Sequence, residues 1–594
     1  MKRLLTGNEA VARGAYEAGI SYAAAYPGTP STEILENIAK YREDIIAEWA
    51  TNEKVALENA IGASVAGARA LASMKHVGVN VAADPMFTYA YMGVNGALVL
   101  ISADDPSMHS SQNEQDNRNY ARFAKIPMLE PSDSQECKDM IKAAVEISEE
   151  YDTMVMFRMT TRVCHSKGLV ELGDKEEIVI KNYTKNNAKF DAIPVVSRKL
   201  RVKLEERLKR LEEFSNKTDL NYIEWNDKKI GIISSGISYQ YAKEVFGDSV
   251  SYLKLGFTFP LPMKKIEEFS KQVETLYVIE ELEPFIEDEL KKNGIKCIGK
   301  DKIPHIGELN PDIISERLLG EGRELLSVNQ EKIVARPPTL CAGCPHRGFF
   351  YELGKLKNVM FAGDIGCYGL GGSDPLNAKD TCVCMGASIS MAHGAQKVFD
   401  KFNKDMKTIA TIGDSTFFHT GINSLIGAIY NNTNSITCIL DNRITGMTGH
   451  QDNPGTGFTL QGDATKIIDI ETVVRALGVK NVKTVNPNEL KEVRETLKWA
   501  LDQEGPCVII TRWPCALKKY SELDKNEFDL RVSKYEVDTE KCIGCKMCIG
   551  SGCPAIKFEK EDKKAKIDDT QCIGCGVCAQ ICPKDAIEKK VGDR

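Results

Sequence analysis

Residues 407–445 read KTIATIGDSTFFHTGINSLIGAIYNNTNSITCILDNRIT, and this stretch decides the fold. A short apolar run ends in Gly413 and Asp414, a helical pattern follows, and a second β-like run ends in Asp441 and Asn442. Strand, helix and strand in this order predict a βαβ unit with parallel strands. Its oxygen-bearing side chains then lie at the carboxyl ends of the strands, where open α/β sheets bind ligands.

Oxygen ligands at such an edge suit Mg²⁺, which prefers octahedral oxygen coordination and usually keeps phosphate oxygens among its ligands. One carboxylate, one side-chain amide and one backbone carbonyl would leave room for a diphosphate. Gly413 would let the backbone approach the phosphates closely. By itself the pattern also fits an ordinary βαβ unit that ends in a polar turn, so the rest of the chain has to distinguish the two.

Residues 542–583 form a cysteine-rich tail with two near-copies of one pattern. The second copy has the CxxCxxCxxxCP spacing of two-cluster ferredoxins, in which the fourth cysteine ligates the other cluster. A zinc ribbon, the alternative, needs no third cysteine in each half. The first copy has four residues instead of three before its last cysteine, which leaves the cluster type at that site open. We assign two [4Fe–4S] clusters: Cys542, Cys545, Cys548 and Cys582 hold the first, and Cys553, Cys572, Cys575 and Cys578 hold the second.

The composition is that of a protein with several ordinary domains. A chain of 594 residues should hold roughly three to five of them. The net charge of −7 argues against a nucleic-acid partner, and no apolar run approaches the ~20 residues of a membrane span. The first residues lack the apolar region of a signal peptide. The 19 cysteines, many in CxxC pairs, favour cluster ligation over disulfides. We therefore expect a cytoplasmic protein without a membrane partner.

Two N-terminal segments add a second candidate domain. Residues 25–34, AYPGTPSTEI, predict a strand that exits into a turn, and residues 48–70 show a helical pattern with Glu53 at its front end. These segments resemble the pyrimidine-binding domain of the 2-oxoacid:ferredoxin oxidoreductases, including its YPxTP turn. The stretch from Gly413 to Asn442 similarly resembles the GDG…N motif of thiamine diphosphate enzymes, with serine in place of the last glycine.

The resemblance implies a role for each of these residues. It places Asp414 and Asn442 on Mg²⁺, with the carbonyl of Ile444 as the third ligand, and thiamine diphosphate at Gly413. It makes Glu53 the carboxylic acid that protonates the aminopyrimidine ring, and it turns Thr29 towards the substrate carboxylate. Without the resemblance, Glu53 would be read as a solvated acid at a helix start.

The resemblance extends over nearly the whole chain. It implies an α/β fold class with two thiamine-diphosphate-binding-type α/β domains, a transketolase-C-like α/β domain and a C-terminal two-cluster ferredoxin-like α+β domain. The predicted boundaries are 1–190 for the pyrimidine-binding domain, 191–225 for a charged helical connector with a solvated face, 226–330 for the transketolase-C-like domain, 335–520 for the diphosphate and Mg²⁺ domain, and 521–594 for the linker and ferredoxin domain.

Within this family the specific likeness is to the large subunits of indolepyruvate ferredoxin oxidoreductases. Its marks are SSQNEQDNR (110–118), CAGCPHR (341–347), GDIGCYGLG (363–371), CMGASISMAHG (384–394) and LDNRITGMTGHQDNP (440–454). In related enzymes, cysteines in similar contexts hold a cluster next to the thiamine. A third cluster is therefore a hypothesis for Cys341, Cys344, Cys367 and Cys515, and the alternative is a set of buried or cofactor-lining cysteines.

The activity that the resemblance implies is oxidative decarboxylation of aryl pyruvates to aryl-acetyl-CoA and CO₂, with the electrons passed through the clusters to ferredoxin. Its implied partners are coenzyme A and a smaller beta subunit, with two copies of each chain. Two rivals are a non-oxidative thiamine-dependent decarboxylase and an electron-transfer subunit with vestigial thiamine domains. The tail cysteines disfavour the first rival, and intact Glu53, Asp414 and Asn442 disfavour the second.

Overall fold

The computed structural model describes residues 1–322, 329–334, 336–530 and 533–590. It divides the chain into two compact units, Met1–Val328 and Asn329–Arg594. Residue 335, where the diphosphate domain is predicted to begin, lies outside the described residues, and the predicted domain boundaries stay predictions. In the described ranges, no helix has both the length and the apolar character needed to cross a bilayer.

The first unit alternates strands and helices. Its strands are β1 (Lys2–Thr6), β2 (Tyr22–Ala25), β3 (Ile46–Trp49), β4 (Ala70–Lys75), β5 (Leu98–Asp104), β6 (Met128–Leu129), β7 (Val155–Thr160), β8 (Lys167–Glu171), β9 (Asn221–Glu224), β10 (Ile230–Ser235), β11 (Ser251–Leu255), β12 (Phe257–Phe259) and β13 (Thr275–Ile279). Its helices are α1 (Gly7–Glu17), α2 (Thr32–Ile38), α3 (Glu53–Val65), α4 (His76–Val81), α5 (Ala83–Met92), α6 (Arg118–Ala124), α7 (Ser134–Tyr151), α8 (Thr161–His165), α9 (Asn187–Phe190), α10 (Pro194–Lys217), α11 (Gly236–Phe246), α12 (Met263–Ser270), α13 (Phe285–Lys292) and α14 (Pro311–Leu319).

The larger sheet of the first unit runs in the order β12-β6-β7-β5-β4-β2-β3. All neighbours are parallel except β12, which pairs antiparallel with β6 at the edge. Strands β4, β5 and β7 are buried at every residue. Such strands are what a parallel sheet covered on both faces requires.

A smaller sheet follows in the order β13-β10-β11-β9, with the first three strands parallel. Strand β12 belongs to the same stretch of sequence, yet it pairs with β6 of the larger sheet. The segment 226–330 therefore supplies three strands of the smaller sheet and the edge strand of the larger one, and β9 from the preceding connector completes the smaller sheet.

The charged connector forms α10, but the helix is not simply a solvated face. Leu200, Leu204 and Leu211 are buried along one side. Arg207 on the same side is also buried and donates a hydrogen bond of 2.9 Å to the carbonyl of Ala90. The polar positions dominate the sequence pattern because only a narrow stripe of this helix packs on the unit.

The buried carboxyl group of Glu281 allows the pH dependence of the stability of the first unit to be tested without a cofactor. Burial raises the pKa of Glu281 to about 7, against the opposing effects of the Leu309 amide and the Arg158 guanidinium. The unfolded chain loses this proton near pH 4, so stability should fall as the pH rises from about 4 to 7. We expect Glu281→Gln to raise the free energy of unfolding by about 1–3 kcal/mol at pH 8.

Urea denaturation at pH 8 and pH 4.5 measures this effect. The glutamine keeps an oxygen for the hydrogen bond that Glu281 Oε1 accepts from the Leu309 amide at 2.9 Å. Most of the gain should therefore disappear at pH 4.5, where the carboxyl group is neutral in the folded chain. An equal gain at both pH values would show that ionisation of Glu281 is not the cause.

The second unit has its own parallel sheet and a small tail. Its strands are β14 (Val359–Ala362), β15 (Lys407–Gly413), β16 (Ile436–Asp441), β17 (Asn481–Val485), β18 (Cys507–Arg512), β19 (Tyr535–Val537), β20 (Ile556–Glu559), β21 (Lys564–Ile567) and β22 (Ile587–Lys589). Its helices are α15 (His346–Leu353), α16 (Ala387–Lys401), α17 (Asp414–Thr416), α18 (Ile422–Tyr430), α19 (Ile470–Ala476), α20 (Leu490–Leu501), α21 (Glu522–Glu527) and α22 (Val577–Ile581), and a π-helical turn (Phe417–Gly421) joins α17 to α18.

The parallel sheet of the second unit runs β14-β15-β16-β18-β17. Alternate residues of its central strands pack into two apolar cores, one on each face of the sheet. Cys438 and Leu440 of β16 join the core with α15 and α20, whereas Ile439 joins the core with α16, α18 and α19. This alternation is the side-chain period of a strand that is buried on both faces.

The tail consists of the antiparallel pairs β19–β22 and β20–β21 with α22. The α/β fold with a ferredoxin-like tail that the sequence predicts is therefore confirmed.

Candidate cofactor and cluster sites

The GDS…N stretch folds as the predicted βαβ unit. Strands β15 and β16 are parallel neighbours, with Gly413 opposite Leu440 in the register. Asp414 begins α17 directly after β15, and Asn442 follows β16. The two side chains consequently lie at the same carboxyl edge, and both are buried.

The side-chain amide of Asn442, the carboxylate of Asp414 and the backbone carbonyl of Ile444 converge at this edge. One terminal atom of the Asn442 amide lies 2.7 Å from the carbonyl oxygen of Ile444 and 3.3 Å from Asp414 Oδ1, and the orientation that places the amide nitrogen there donates to both. Carboxylate, amide and carbonyl oxygens are the donor set that Mg²⁺ takes, so these residues fit the predicted metal.

The two carboxylates of this edge differ in their electrostatic surroundings. Burial and the neighbouring Asp441 carboxylate raise the pKa of Asp414 to about 7. Asp441 itself is compensated, because Arg512 Nε donates to its Oδ2 at 2.8 Å and Arg443 Nε lies 3.3 Å from the same oxygen. Asp414 instead accepts backbone hydrogen bonds from Ser415 at 2.7 Å and from Ile444 at 3.2 Å.

Gly413 is required at this edge for steric reasons. A Cβ at this position would lie 2.7 Å from Cε1 of Tyr368. The Tyr368 ring is fixed in turn, because its hydroxyl donates to the carbonyl of Ile365 at 2.8 Å. The absence of a side chain at Gly413 therefore makes room for the Tyr368 ring against the end of β15.

His346 and Asp364 complete this edge, although neither was assigned a role from the sequence. Nε2 of His346 lies 3.4 Å from the Asn442 amide nitrogen, and burial lowers the pKa of this imidazole to about 4. Its Nδ1 has no hydrogen-bond partner among the described residues. The Asp364 carboxylate accepts from the amides of Ile365, Gly386 and Ser388 at 2.7–2.9 Å. Both residues stand in quoted motifs, CAGCPHR and GDIGC, and that is the signal that could have found them.

In the first unit, Thr29 and Glu53 also share one sheet edge. They follow the parallel neighbours β2 and β3, whose register pairs Ala25 with Trp49. Glu53 is the first residue of α3 and is buried, so it is not a solvated helix-start acid. Its position is tight, because a Cβ at Gly78 would lie 2.6 Å from Glu53 Cγ.

Lys75 is a further charged group at this edge that the sequence pattern did not reveal. It ends β4, the strand next to β2, and burial lowers the pKa of its amine to about 8. Its Nζ donates to the carbonyl of Ser110 at 2.5 Å. A single lysine after an apolar strand carries no motif, which is why only the structure places it beside the Gly28–Thr29 turn.

The four cysteines of the possible third cluster lie near one another and near the oxygen site. Burial raises the pKa of the Cys344 thiol to about 12 and that of Cys367 to about 11, and the thiols of Cys341 and Cys515 add to both shifts. The amide of Cys515 donates to the carbonyl of Asn442 at 3.0 Å. The structure therefore brings these cysteines together, and their assignment to a cluster stays a prediction.

The eight tail cysteines surround two separate cavities. One is lined by Cys542, Cys545, Cys548 and Cys582. The other is lined by Cys553, Cys572, Cys575 and Cys578. These are the two sets of four that the ferredoxin spacing predicts, each with one cysteine from the other repeat, and four thiols around one cavity fit a cubane cluster. In the described ranges, no three His, Cys, Asp or Glu side chains converge as they would around a single metal ion.

The extra residue in the first repeat is absorbed by a left-handed turn. Gly552, immediately before Cys553, has φ of 65°, and the preceding residues Met547–Ser551 form a 3₁₀ helix. A Cβ at Gly552 would lie 2.9 Å from Cδ of Pro375. The longer spacing thus keeps Cys553 on its cavity while the turn approaches the neighbouring domain.

Family models match the three parts that carry these features. Residues 13–209 match "Pyruvate flavodoxin/ferredoxin oxidoreductase, thiamine diP-bdg", residues 364–511 match "Thiamine pyrophosphate enzyme, C-terminal TPP binding domain", and residues 534–583 match "4Fe-4S dicluster domain". Fold and site thus define a thiamine-diphosphate-dependent oxidoreductase with an iron–sulfur domain of its own.

Relatives of this kind match from end to end. The chain is 44% identical to indolepyruvate oxidoreductase subunit IorA of Pyrococcus horikoshii, over 99% of this chain and 97% of the relative. Identity is 45% to IorA of Pyrococcus abyssi, over 99% and 96%, and 42% to IorA of Archaeoglobus fulgidus, over 99% and 97%. The chain belongs to the indolepyruvate oxidoreductase subunit IorA family, as the resemblance predicted.

Proposed function

We propose that this chain catalyses the oxidative decarboxylation of aryl pyruvates such as indolepyruvate, with coenzyme A and ferredoxin as co-substrates. The observation that carries the proposal is the convergence of the Asp414 carboxylate, the Asn442 amide and the Ile444 carbonyl in a unit that also holds two four-cysteine cavities. The aryl substrate rests on the name of the IorA relatives. A non-oxidative decarboxylase would have no use for the cysteine cavities.

The overall reaction balances with two one-electron acceptors. One 2-oxo acid and one coenzyme A thiol give an aryl-acetyl thioester, CO₂, one proton and two electrons. The carbon–carbon bond to the carboxylate breaks, a carbon–sulfur bond forms, and two ferredoxins are reduced. The chemistry that thiamine diphosphate supplies when bound is stabilisation of the charge left on the substrate carbon as CO₂ departs.

The residues at the sheet edges would hold and orient the groups of this reaction. Asp414, Asn442 and the Ile444 carbonyl would bind Mg²⁺ and through it the diphosphate. Glu53 would hold a proton towards the aminopyrimidine nitrogen, and Thr29 would face the substrate carboxylate. His346, uncharged at neutral pH, would offer a hydrogen bond from the buried side of the site.

The cysteines would carry the electrons away from the site. The tail cavities would hold two [4Fe–4S] clusters, and Cys341, Cys344, Cys367 and Cys515 would hold a third beside the thiamine. The smaller partner subunit would complete the enzyme, and an external ferredoxin would accept the electrons. The subunit names of the relatives support a partner of this kind.

The test is reduction of the enzyme's own clusters by substrate. The chain is co-purified with its smaller subunit without oxygen and loaded with Mg²⁺ and thiamine diphosphate. Indolepyruvate, phenylpyruvate or pyruvate is then added separately with coenzyme A. We expect the visible cluster absorbance to bleach with both aryl substrates and to stay nearly unchanged with pyruvate.

Two outcomes would contradict the proposal. Bleaching with pyruvate as fast as with indolepyruvate would refute the substrate class. Release of an aryl acetaldehyde without bleaching would show a non-oxidative decarboxylase. A control without thiamine diphosphate separates substrate-driven bleaching from slow loss of the clusters.

A further inference from the structure

Arg347 is a buried cation whose hydrogen bonds to the described residues all go to neutral carbonyl groups. It lies in the first turn of α15, just after the Cys341–Cys344 loop, and 1% of its surface is exposed. Its guanidinium donates to the carbonyl oxygens of Leu340, Cys341 and Ser551. Its Nε has no hydrogen-bond partner in the described part of the chain. Burying a charge that only neutral carbonyls compensate costs free energy. We therefore expect a negatively charged group near Arg347 in the enzyme that carries its clusters.

The three carbonyls belong to two different cysteine loops. Cys341 opens the CxxC pair of the diphosphate domain, whereas Ser551 lies two residues before Cys553 of the tail, and each accepts a hydrogen bond of 2.9 Å. The arginine therefore lies between the cavity of Cys553 and the CxxC pair.

The two tail cavities differ in their surroundings, although the repeats are near-copies. Ile573 packs on Gly343, where an added Cβ would lie 2.1 Å from Ile573 Cγ1. The equivalent Ile543 of the other repeat is 61% exposed. Cys575 likewise packs beside Leu490 of α20, whereas Cys545 is exposed. We name the cavity of Cys553, Cys572, Cys575 and Cys578 the inner cavity and that of Cys542, Cys545, Cys548 and Cys582 the outer cavity.

The hydrogen bond between Arg347 and the Ser551 carbonyl gives a structural reason for the four-residue spacing before Cys553. The turn at Ser551 and Gly552 directs the Ser551 carbonyl to Arg347, and Gly552 lies against Pro375 and the guanidinium. The hydroxyl of Ser551 is also buried and donates to the carbonyl of Cys548 at 2.7 Å. The departure from ferredoxin spacing is thus located where the tail is joined to the diphosphate domain.

We propose that Arg347 is a positioning residue that joins the inner cavity to the Cys341–Cys344 loop and raises the reduction potential of the cluster in that cavity. A cluster held by four thiolates becomes more negative by one charge when it accepts one electron, and a fixed buried cation stabilises that charge. No bond forms or breaks, and the electron passes on to the outer cluster. The proposal rests on the proposed function only in assuming that both tail cavities hold clusters.

The experiment compares Arg347→Gln with Arg347→Lys in the full complex. Reduction potentials of the tail clusters are measured by chemical reductive titration with mediators, followed by electron paramagnetic resonance. Because no substrate is added, the result does not depend on the thiamine chemistry. A Cys545→Ser background, which removes a ligand of the outer cluster, isolates the inner signal. Arg494→Gln is the matched control, since Arg494 is half exposed and pairs with Glu352 at 2.9 Å.

We expect Arg347→Gln to shift the potential of the inner cluster to a more negative value and to leave the outer one in place. Arg347→Lys should keep the wild-type value, because it keeps the charge, and Arg494→Gln should change neither. An unchanged inner potential in Arg347→Gln with full iron content would overturn the proposal. If Arg347→Gln loses its iron, Arg347→Lys decides: a wild-type potential supports the electrostatic role, and a negative shift overturns it.

Discussion

The Asp414→Ala chain should fail to bind thiamine diphosphate and should lose substrate-dependent ferredoxin reduction by more than about 100-fold. Loss of an outer hydrogen-bond partner alone costs a metal site about 10- to 100-fold in affinity, and Asp414 is the one charged group of the Asp414, Asn442 and Ile444 set. Binding is measured by isothermal titration of the apo complex with thiamine diphosphate at saturating Mg²⁺. Activity is measured in parallel with indolepyruvate.

The control for this variant is Asp405→Asn, which neutralises an exposed carboxylate of the same unit. It should bind the cofactor as the wild type does. The clusters of the Asp414→Ala chain should still assemble and should still be reduced by dithionite, because the cysteine cavities lie apart from the oxygen site in sequence and in lining. Cofactor binding within a few-fold of wild type would refute the Mg²⁺ assignment.

The second large effect is expected from Cys575→Ser in the inner cavity. Serine oxygen is a poor substitute for a soft thiolate, so the chain should lose about four iron atoms and with them the inner cluster. Substrate should then reduce neither the outer cluster nor ferredoxin, while dithionite still reduces the outer one. Iron analysis and stopped-flow absorbance measure the two effects.

Cys545→Ser, the equivalent change in the other repeat, is the matched comparison. It should also abolish ferredoxin reduction, but substrate should still reduce the inner cluster. The contrast follows from position, because the Cys575 loop packs on the diphosphate domain and the Cys545 loop is exposed. If substrate reduces the outer cluster in Cys575→Ser as fast as in the wild type, the inner cavity does not lie on the electron path.

The candidate sites could be predicted where the chemistry is local in sequence. Asp414 and Asn442 each follow an apolar strand, and the two strands are joined by one helix in a continuous stretch of sequence. Because the carboxyl ends of parallel strands lie at the same edge of a sheet, the shared position of the two residues could be predicted. The grouping of the tail cysteines could be predicted as well, because the ferredoxin spacing fixes which cysteine crosses to the other repeat.

The rest depends on contacts between residues far apart in sequence. His346 reaches Asn442 from 96 residues away, and Arg347 reaches Ser551 across 204 residues. No periodicity or spacing encodes such a contact. The sequence predicts a solvated connector because half of the 24 residues of α10 are charged, yet burial of a narrow stripe is enough to pack it. A buried stripe of this kind can be recognised in the sequence only when the surface on which the helix packs is known.

The pairing of β12 with β6 has a consequence for the synthesis of the chain. Phe257 pairs with Leu129, so β6, a buried strand of two residues, is the exposed edge of the sheet that presents Thr29 and Glu53 until residues 257–259 have left the ribosome and become the edge strand. Exposed edges of this kind invite pairing with other chains, and domains generally fold as units as they emerge. Nascent chains that stall between β6 and β12 should therefore be the aggregation-prone species, and a truncated fragment of the N-terminal sheet should be soluble only if it extends past Phe259.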